Sequence, residues 1–328
     1  MLALAREEVR ALVPMPDAIA LMKQVFAELS ARRTQSPLRT VLHLGDGRDT
    51  LFMPASVPVM GALGLKIVSV FPANLERGLA TINALVCLVS DETGEPVAIM
   101  DGTYLTALRT GAGCGAATDL LARPDSRTLV VFGSGAQGVT QAAAVCAVRP
   151  IERIVVVDPN RAALERYRAA IARDWPDLGD RIETREREDG AIADADVVCT
   201  ATTSRTPVFD AAGVRPGTHV NAVGSYTPQM QELPSALVAR STVVVDAAEA
   251  AVAEAGDLIV PMTEGLVGLE HYQRELGMVV SGTVPGRTSS DELTLFKSVG
   301  NAVQDVVVAR RAVERAIARG VGTEIRLG

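Results

Sequence analysis

The chain has 328 residues, a formal net charge of −7, 48% apolar and 22% charged residues, four cysteines and three histidines. That length accommodates two domains with separate cores, and the acidic balance argues against a general nucleic-acid binder. With no run of about 18 apolar residues, and with Arg6 already interrupting the N-terminal stretch, the sequence is expected to be a soluble, cytoplasmic protein with neither a membrane span nor a signal peptide.

From the N-terminus, the spacing of Ile19, Met22, Val25, Phe26 and Leu29 predicts an amphipathic helix over Pro16–Ser30, with Pro16 suited to its first turn. Strands are predicted at Thr50–Met53, Gly64–Val70, Thr81–Val89 and Val97–Met100, separated by turn-forming clusters of Gly, Pro, Asn and Asp. Thr103–Leu121 reads as a helix, and Arg123-Pro-Asp-Ser126 as the join to a second domain. Boundaries follow at residues 1–118 for the first domain and 119–300 for the second, with 301–328 returning to complete the first.

The second domain opens on a dinucleotide-binding βαβ unit. Leu129–Phe132 is a short apolar strand, Gly133-Ser134-Gly135-Ala136-Gln137-Gly138 is G-x-G-x-x-G, Ala136–Val148 is helical, and the strand Ile154–Val157 ends in Asp158. The three glycines differ in what they permit. Gly133 turns the chain off the strand, Gly135 lets the backbone approach a pyrophosphate, and Gly138 allows close helix packing. The glycine pattern alone is weak, and an ordinary strand-to-helix turn is the competing reading; strand, glycines, helix, second strand and acid together point to NADH or NADPH. Asp158 suits the ribose hydroxyls and repels a 2′-phosphate, which favours NADH, while Arg161 is placed to tolerate NADPH.

Beyond it, a helix over Arg161–Arg173 and strands at Ile182–Glu186, Asp196–Thr202, His219–Val223 and Thr242–Val245 continue an open parallel sheet covered on both faces. Leu293–Arg319 reads as one long helix stopping at Gly320. Further candidate cofactor contacts are Thr200, Ala201, Thr202 and Val223. The cysteines are irregularly spaced, as reduced thiols are, and no histidine stands in a metal-ligand spacing, so no metal is expected. His219 is read as a packed core residue before a catalytic one, which leaves proton transfer to Lys, Tyr or a carboxylate.

The ordered segments Pro37-Leu-Arg39-Thr40, Met53-Pro54, Gly64-Leu-Lys66, Thr81, Asp91-Glu-Thr-Gly94, Leu105-Thr-Ala-Leu-Arg109-Thr110, Gly133 to Gln137 and Thr294 to Asp305 carry a resemblance over nearly the whole chain. It is to the ornithine cyclodeaminase and mu-crystallin superfamily. The resemblance implies an α/β fold in which a Rossmann domain is joined to a discontinuous α+β domain for substrate binding and dimerisation, hence a homodimer. Arg39, Lys66 and Arg109 stand within or beside apolar segments, where a charge needs an anionic partner. Internal salt bridges are one reading. By resemblance, Arg39, Lys66, Thr81 and Arg109 instead surround the carboxylate of an amino or imino acid, and Ser298, Gly300 and Asn301, with Asn221, lie near the nicotinamide.

Members of this superfamily include cyclodeaminases, alanine dehydrogenases, ketimine reductases and crystallin-like binders. Cyclodeaminases have an aspartate in a Gly-x-Asp-x-Pro loop and a glutamate two residues before Met-Pro; this chain has Tyr226 and Leu51 there. A diamine would leave its distal ammonium desolvated beside cations, unfavourable by several kcal/mol. The Gly224-Ser-Tyr226 loop with Thr294-Leu-Phe-Lys-Ser-Val-Gly300 is similar to the branch that reduces cyclic imino acids. Reduction of Δ1-pyrroline-2-carboxylate or Δ1-piperideine-2-carboxylate is therefore expected, with catalytic Lys66 stabilising or protonating the imine nitrogen, directly or through water, and Tyr226 either a secondary donor or a wall of the ring pocket. An ornithine cyclodeaminase and a non-catalytic binder of a small carboxylate remain the competing functions.

Overall fold

The computed structural model describes residues 1–326, so residues 327 and 328 of the expected C-terminal return lie outside the described residues. The chain divides into two compact units, Met1–Arg109 with Asn301–Gly328, and Thr110–Gly300. The division falls inside one helix, whereas the sequence pattern places it after residue 118.

In the first unit the elements run β1 (Leu2–Leu4), α1 (Arg6–Leu12), α2 (Met15–Ser30), β2 (Thr40–His43), β3 (Asp49–Val57), β4 (Ala62–Val70), β5 (Ile82–Val89), β6 (Pro96–Asp101) and the start of α3 (Gly102–Leu121). The second unit contains β7 (Thr128–Phe132), α4 (Ala136–Val148), β8 (Arg153–Val157), α5 (Arg161–Asp174), β9 (Ile182–Arg185), β10 (Val197–Thr200), β11 (His219–Ala222), α6 (Ser235–Arg240), β12 (Thr242–Val245), α7 (Ala248–Glu254), α8 (Gly256–Thr263), α9 (Leu276–Val280) and β13 (Thr294–Lys297). The chain then re-enters the first unit as α10 (Ala302–Arg319) and β14 (Thr323–Glu324).

The first unit is a mixed sheet in the order β14-β1-β6-β5-β4-β3-β2. Alternation along β3, β4 and β5 sends Met53, Ala55, Val57, Ala62, Gly64, Lys66, Val68, Val86 and Leu88 to one buried face. Helix α10 lies against β3, β4 and β5, and α2 packs on α10. The second face carries Phe52, Leu65, Ile67, Leu85, Cys87 and Ile99 in cross-strand register, apolar residues that are only partly covered.

The second unit is wholly parallel, in the order β12-β13-β11-β10-β7-β8-β9. Its central strands are buried along both faces, as a sheet covered by helices on each side requires, with β7 and β8 almost wholly apolar. The order reverses between β7 and β10, so the crevice at their carboxyl ends is the topological switch point where such sheets bind ligands. Both the Rossmann unit and the discontinuous α+β unit expected from the sequence are present.

One expected element differs in kind. Leu293–Arg319 is not a single helix: Thr294–Lys297 is a buried strand between β11 and β12, and the helix begins only at Ala302. Its apolar spacing suits a helix, but Gly300, at φ +79°, turns the chain, and Asn301 restarts it. The Asn301 carboxamide oxygen accepts from the Val303 amide at 3.1 Å, and Gln304 Oε1 accepts from the Asn301 amide at 2.9 Å. Strands β1, β2 and β14 are not foreseen by the sequence pattern either; each is too short to show a period. No helix among the described residues is long and apolar enough to cross a membrane.

At the amino ends of the parallel strands, Asp196 ties β7 to β10. Its carboxylate accepts from the Arg127 and Thr128 amides at 2.8 and 2.9 Å, and it pairs with the guanidiniums of Arg123 and Arg215. Burial pushes its carboxyl up, but these bonds and charges outweigh it and hold it below the ordinary Asp range. A depressed carboxyl pKa stabilises the fold above the unfolded value and loses that contribution as pH falls through the folded one. Asp196→Asn is expected to lower stability by about 1.5–3 kcal/mol at neutral pH. Urea denaturation should show this difference shrinking as pH falls from about 4 down through the depressed folded value, as the wild-type carboxylate takes up its proton; an undiminished difference in strong acid would contradict the role.

Candidate active site

Lys66 sits in the middle of β4 on the buried face, opposite Met53 and Val86 in register, with its side chain 2% exposed. An ammonium placed there must find an anion, and it donates to Asp305 Oδ2 at 2.7 Å. Arg109, from α3, donates its Nε to Asp305 Oδ1 at 3.0 Å and its Nη1 to Gln304 Oε1 at 3.0 Å. Asp305 stands in the first turn of α10 and is fully buried. The Asn301 cap thus aims Gln304 and Asp305 at the sheet, because it fixes where the first turn begins.

Two cations share this carboxylate, and Arg39, just before β2, adds further positive potential at Lys66. Burial, then repulsion from Arg109, outweighs the attraction of Asp305 and lowers the Lys66 pKa to about 7. The cluster can therefore accept a second anion and exchange a proton near neutrality. Thr81 precedes β5, half-buried, and its carbonyl accepts from the Phe71 amide at 2.8 Å. Of the four expected substrate contacts, Lys66 and Arg109 meet at Asp305 and Arg39 lies within electrostatic reach. No acid stands near these cations in sequence; Asp305 is their acid in space, 239 residues from Lys66. Its one sequence signal is a carboxylate three residues past the alanine that opens an apolar helix.

The second unit builds its candidate cofactor site on the glycines. At Gly133, φ is +97°, and a Cβ there would lie 2.5 Å from the Ala201 carbonyl oxygen. A Cβ on Gly138 would come within 2.0 Å of the Gly133 carbonyl oxygen, so Ala136–Gly138 pack close to the strand. On Gly135, by contrast, a Cβ would meet no protein atom within 4 Å, and this N-cap makes no side-chain capping bond. Space for a pyrophosphate in front of open helix amides is what the glycine pattern requires. Gln137 stands in that first turn of α4.

Asp158, after β8, accepts from the Ser134 amide and hydroxyl at 2.9 and 2.7 Å through Oδ2, and from the Asn160 amide at 2.9 Å through Oδ1. Ser134 thereby links the glycine loop to the acid expected on the ribose. Arg161 opens α5, 79% exposed, with Glu165 at 3.8 Å. Thr200, Ala201, Thr202 and Val223 lie at or just past the ends of β10 and β11: the Ala201 amide donates to Phe132, and that of Val223 to Thr200. Ser298 donates its hydroxyl to Asp246 at 2.7 Å, and the Gly300 amide donates to the same oxygen at 2.9 Å.

Asn301 belongs to the first unit, where its carboxamide oxygen also accepts from the Ser36 hydroxyl at 2.6 Å. Asn221 is buried in β11, bonding Thr118 and His219, and is a cross-link within the second unit. His219 is fully buried, and burial lowers its pKa to about 3, as a packed histidine requires. Tyr226 lies in the loop after β11, 38% exposed. Sequence reasoning misses Glu232 altogether, a buried carboxylate on which the β10 and β11 loops converge.

Comparison with known proteins finds a match between residues 1–320 and the model of the ornithine cyclodeaminase/mu-crystallin family. A Δ1-pyrroline-2-carboxylate reductase of Bacillus cereus is 42% identical over 327 residues, covering 99% of each chain. An alanine dehydrogenase of Archaeoglobus fulgidus is 36% identical over 325 residues, covering 99% of this chain and 98% of that one. Among solved structures, the Δ1-pyrroline-2-carboxylate reductase of Thermococcus litoralis in complex with NADH and L-proline superposes with a TM-score of 0.94 at 39% identity, over 99% of this chain and all of that one.

The Asp305 geometry has a measurable consequence. Asp305→Asn leaves two buried cations without their shared anion and should lower stability by about 3–5 kcal/mol at neutral pH. Added acetate should raise the melting temperature of the variant more than that of the wild type. Equal stability of the two proteins would remove Asp305 from this role.

Proposed function

The chain belongs to the ornithine cyclodeaminase/mu-crystallin family, and from that premise we propose that it is an NAD(P)H-dependent reductase of cyclic imino acids. It converts Δ1-pyrroline-2-carboxylate to L-proline and Δ1-piperideine-2-carboxylate to L-pipecolate. The observation that carries the reading is the buried Lys66–Asp305–Arg109 cluster, which has room in its charge balance for one carboxylate and a lysine that titrates near neutrality. Leu51, paired with Val68 in the sheet, and Tyr226 stand where cyclodeaminases have acids, which favours a substrate without a distal amine. The reductases of B. cereus and T. litoralis support the same choice.

In this mechanism Arg39 and Arg109 hold the substrate carboxylate and Thr81 donates a hydrogen bond to it. Lys66 gives its proton to the imine nitrogen, which makes the C=N carbon electrophilic. A reduced nicotinamide, held by the second unit, would supply hydride chemistry when bound. The lysine, left neutral, recovers a proton from solvent, so one imine, one dihydronicotinamide and one proton yield one amine and one oxidised cofactor. Tyr226 shapes the ring pocket or acts as a secondary donor. The Gly133–Gly138 loop would hold the pyrophosphate and Asp158 the adenosine ribose, with NADH preferred; Thr200–Thr202, Val223, Ser298, Gly300 and Asn301 are the further residues proposed to contact the cofactor.

Purified protein should oxidise NADH stoichiometrically with either imine and release no ammonia from ornithine with NAD⁺. Proline formation from ornithine without imine reduction would overturn the reading. Because the Lys66 ammonium prevails below its pKa, kcat/KM should fall as pH rises above about 7. Lys66→Met should reduce kcat by about 10²–10⁴ with NADH affinity retained, and full turnover in that variant would sink the proton-donor role.

We also propose a homodimer, joined through the first unit. Support comes from the sheet face opposite α10, where Leu65, Ile67 and Leu85 are apolar and only partly covered. Ile67→Glu should convert a dimer to a monomer in light-scattering measurements; an unchanged mass would exclude this face. Free thiols at all four cysteines fit residence in the cytoplasm.

A further inference from the structure

Among the described residues no charged side chain bonds to Glu232, yet it is fully buried in the second unit. Its Oε1 accepts from the Thr202 amide at 2.6 Å and the Thr202 hydroxyl at 2.8 Å. Its Oε2 accepts from the Thr200 hydroxyl at 2.8 Å and from the Gly224 and Ser225 amides at 2.8 and 3.2 Å. Backbone amides therefore face both oxygens. A carboxylate satisfies them all; a carboxamide cannot, because its NH2 would meet an N–H whichever way it is turned.

These donors come from the carboxyl ends of the neighbouring strands β10 and β11 and the two loops that leave them. The first loop forms the far wall of the switch point, with the Ala201 carbonyl against Gly133. A Cβ on Gly224 would lie 2.3 Å from both Glu232 Oε1 and the Thr202 carbonyl oxygen, so the second loop is closed down onto the carboxylate. Behind Glu232, Asp257 accepts from the Glu232 and Leu233 amides at 2.7 and 3.0 Å and is neutralised by the buried Lys297 at 2.9 Å. That lysine belongs to the next strand of the same sheet, β13.

In a doubly wound sheet the dinucleotide crosses the switch point, its pyrophosphate at the glycine loop. On that rule the adenosine ribose would fall at Asp158, after β8, and the other half would extend over β10 and β11. We infer that Glu232 is the positioning residue of the nicotinamide half of this site, locking the Thr200–Thr202 and Gly224–Ser225 loops into one wall. The inference rests on reading the second unit as the dinucleotide site. Burial, and then Asp257, push the Glu232 carboxyl up, and Lys297 draws it only part of the way back.

ADP-ribose, which lacks the nicotinamide, separates the two halves. Glu232→Gln should weaken NADH binding about tenfold or more while ADP-ribose binding stays within about twofold, measured by calorimetry on the full chain. The KM for NADH should rise with that for the imine unchanged. Equal weakening of both nucleotides, or no change in either, would overturn the inference. If Glu232→Gln does not fold, Gly224→Ala, which pushes the loop off the carboxylate, must show the same split between the nucleotides, and an equal loss of both would count against it. Wild-type protein that binds NADH but reduces no imine would remove the reductase reading and leave this one standing; wild-type protein that binds neither nucleotide would remove both.

Discussion

The contact on which the first unit depends is the one between Asp305 and its two cations. A lysine in the centre of a sheet and an arginine on a buried helix are untenable in an apolar interior unless a carboxylate reaches both, with its oxygens bonded. Asp305 does so from the first turn of α10, one oxygen to each cation. This sets where α10 must begin, and the Asn301 cap and the left-handed Gly300 before it are the local means of starting it there. The discontinuity of the first unit has a physical reason in this contact: the anion for Lys66 and Arg109 arrives only after the chain has built the second unit.

The second unit uses buried carboxylates too, but mainly as acceptors for backbone amides. Asp196 collects the amides at the amino end of β7, and Asp246 and Glu232 collect those of loops at the carboxyl ends. Loops after parallel strands have amides that the ladder no longer satisfies, and a charged acceptor fixes several at once. The sheet thus ends in a rigid rim, which suits a site whose selectivity depends on backbone placement.

Local features are legible in the sequence and distant partnerships are not. The βαβ unit can be read because strand, glycines, helix and Asp158 lie within one continuous stretch and each obeys a steric rule. Asp305 cannot be assigned partners, since its bonds reach residues 239 and 196 positions away; Glu232 cannot either, since Gly224 and Ser225 offer it backbone amides that no side-chain spacing encodes and Thr200 and Thr202 lie a strand away. Leu293–Arg319 misleads for a different reason. A fully buried strand has no alternation to distinguish it from a helix, and only Gly300 and Asn301 mark the break. Arg39, Lys66 and Arg109 do lack acids nearby in sequence, but the fold brings one to two of them from the far end of the chain.

For the proposed reaction, the Lys66 pKa of about 7 matters most in its response to an anion. Burial and Arg109 depress it, and Asp305 restores only part of the loss. In that proposal a substrate carboxylate held between Arg39 and Arg109 would offset the same repulsion and draw the pKa back up, so the lysine would gain a proton as the substrate arrives. By linkage the converse holds: the neutral lysine binds the carboxylate less well than the ammonium does. A lysine with an ordinary pKa would hold its proton too tightly to give it to an imine. One fully neutralised by burial would have none to give. In the proposed reaction, sharing Asp305 between two cations would keep Lys66 between these limits, with the substrate carboxylate supplying the remaining charge.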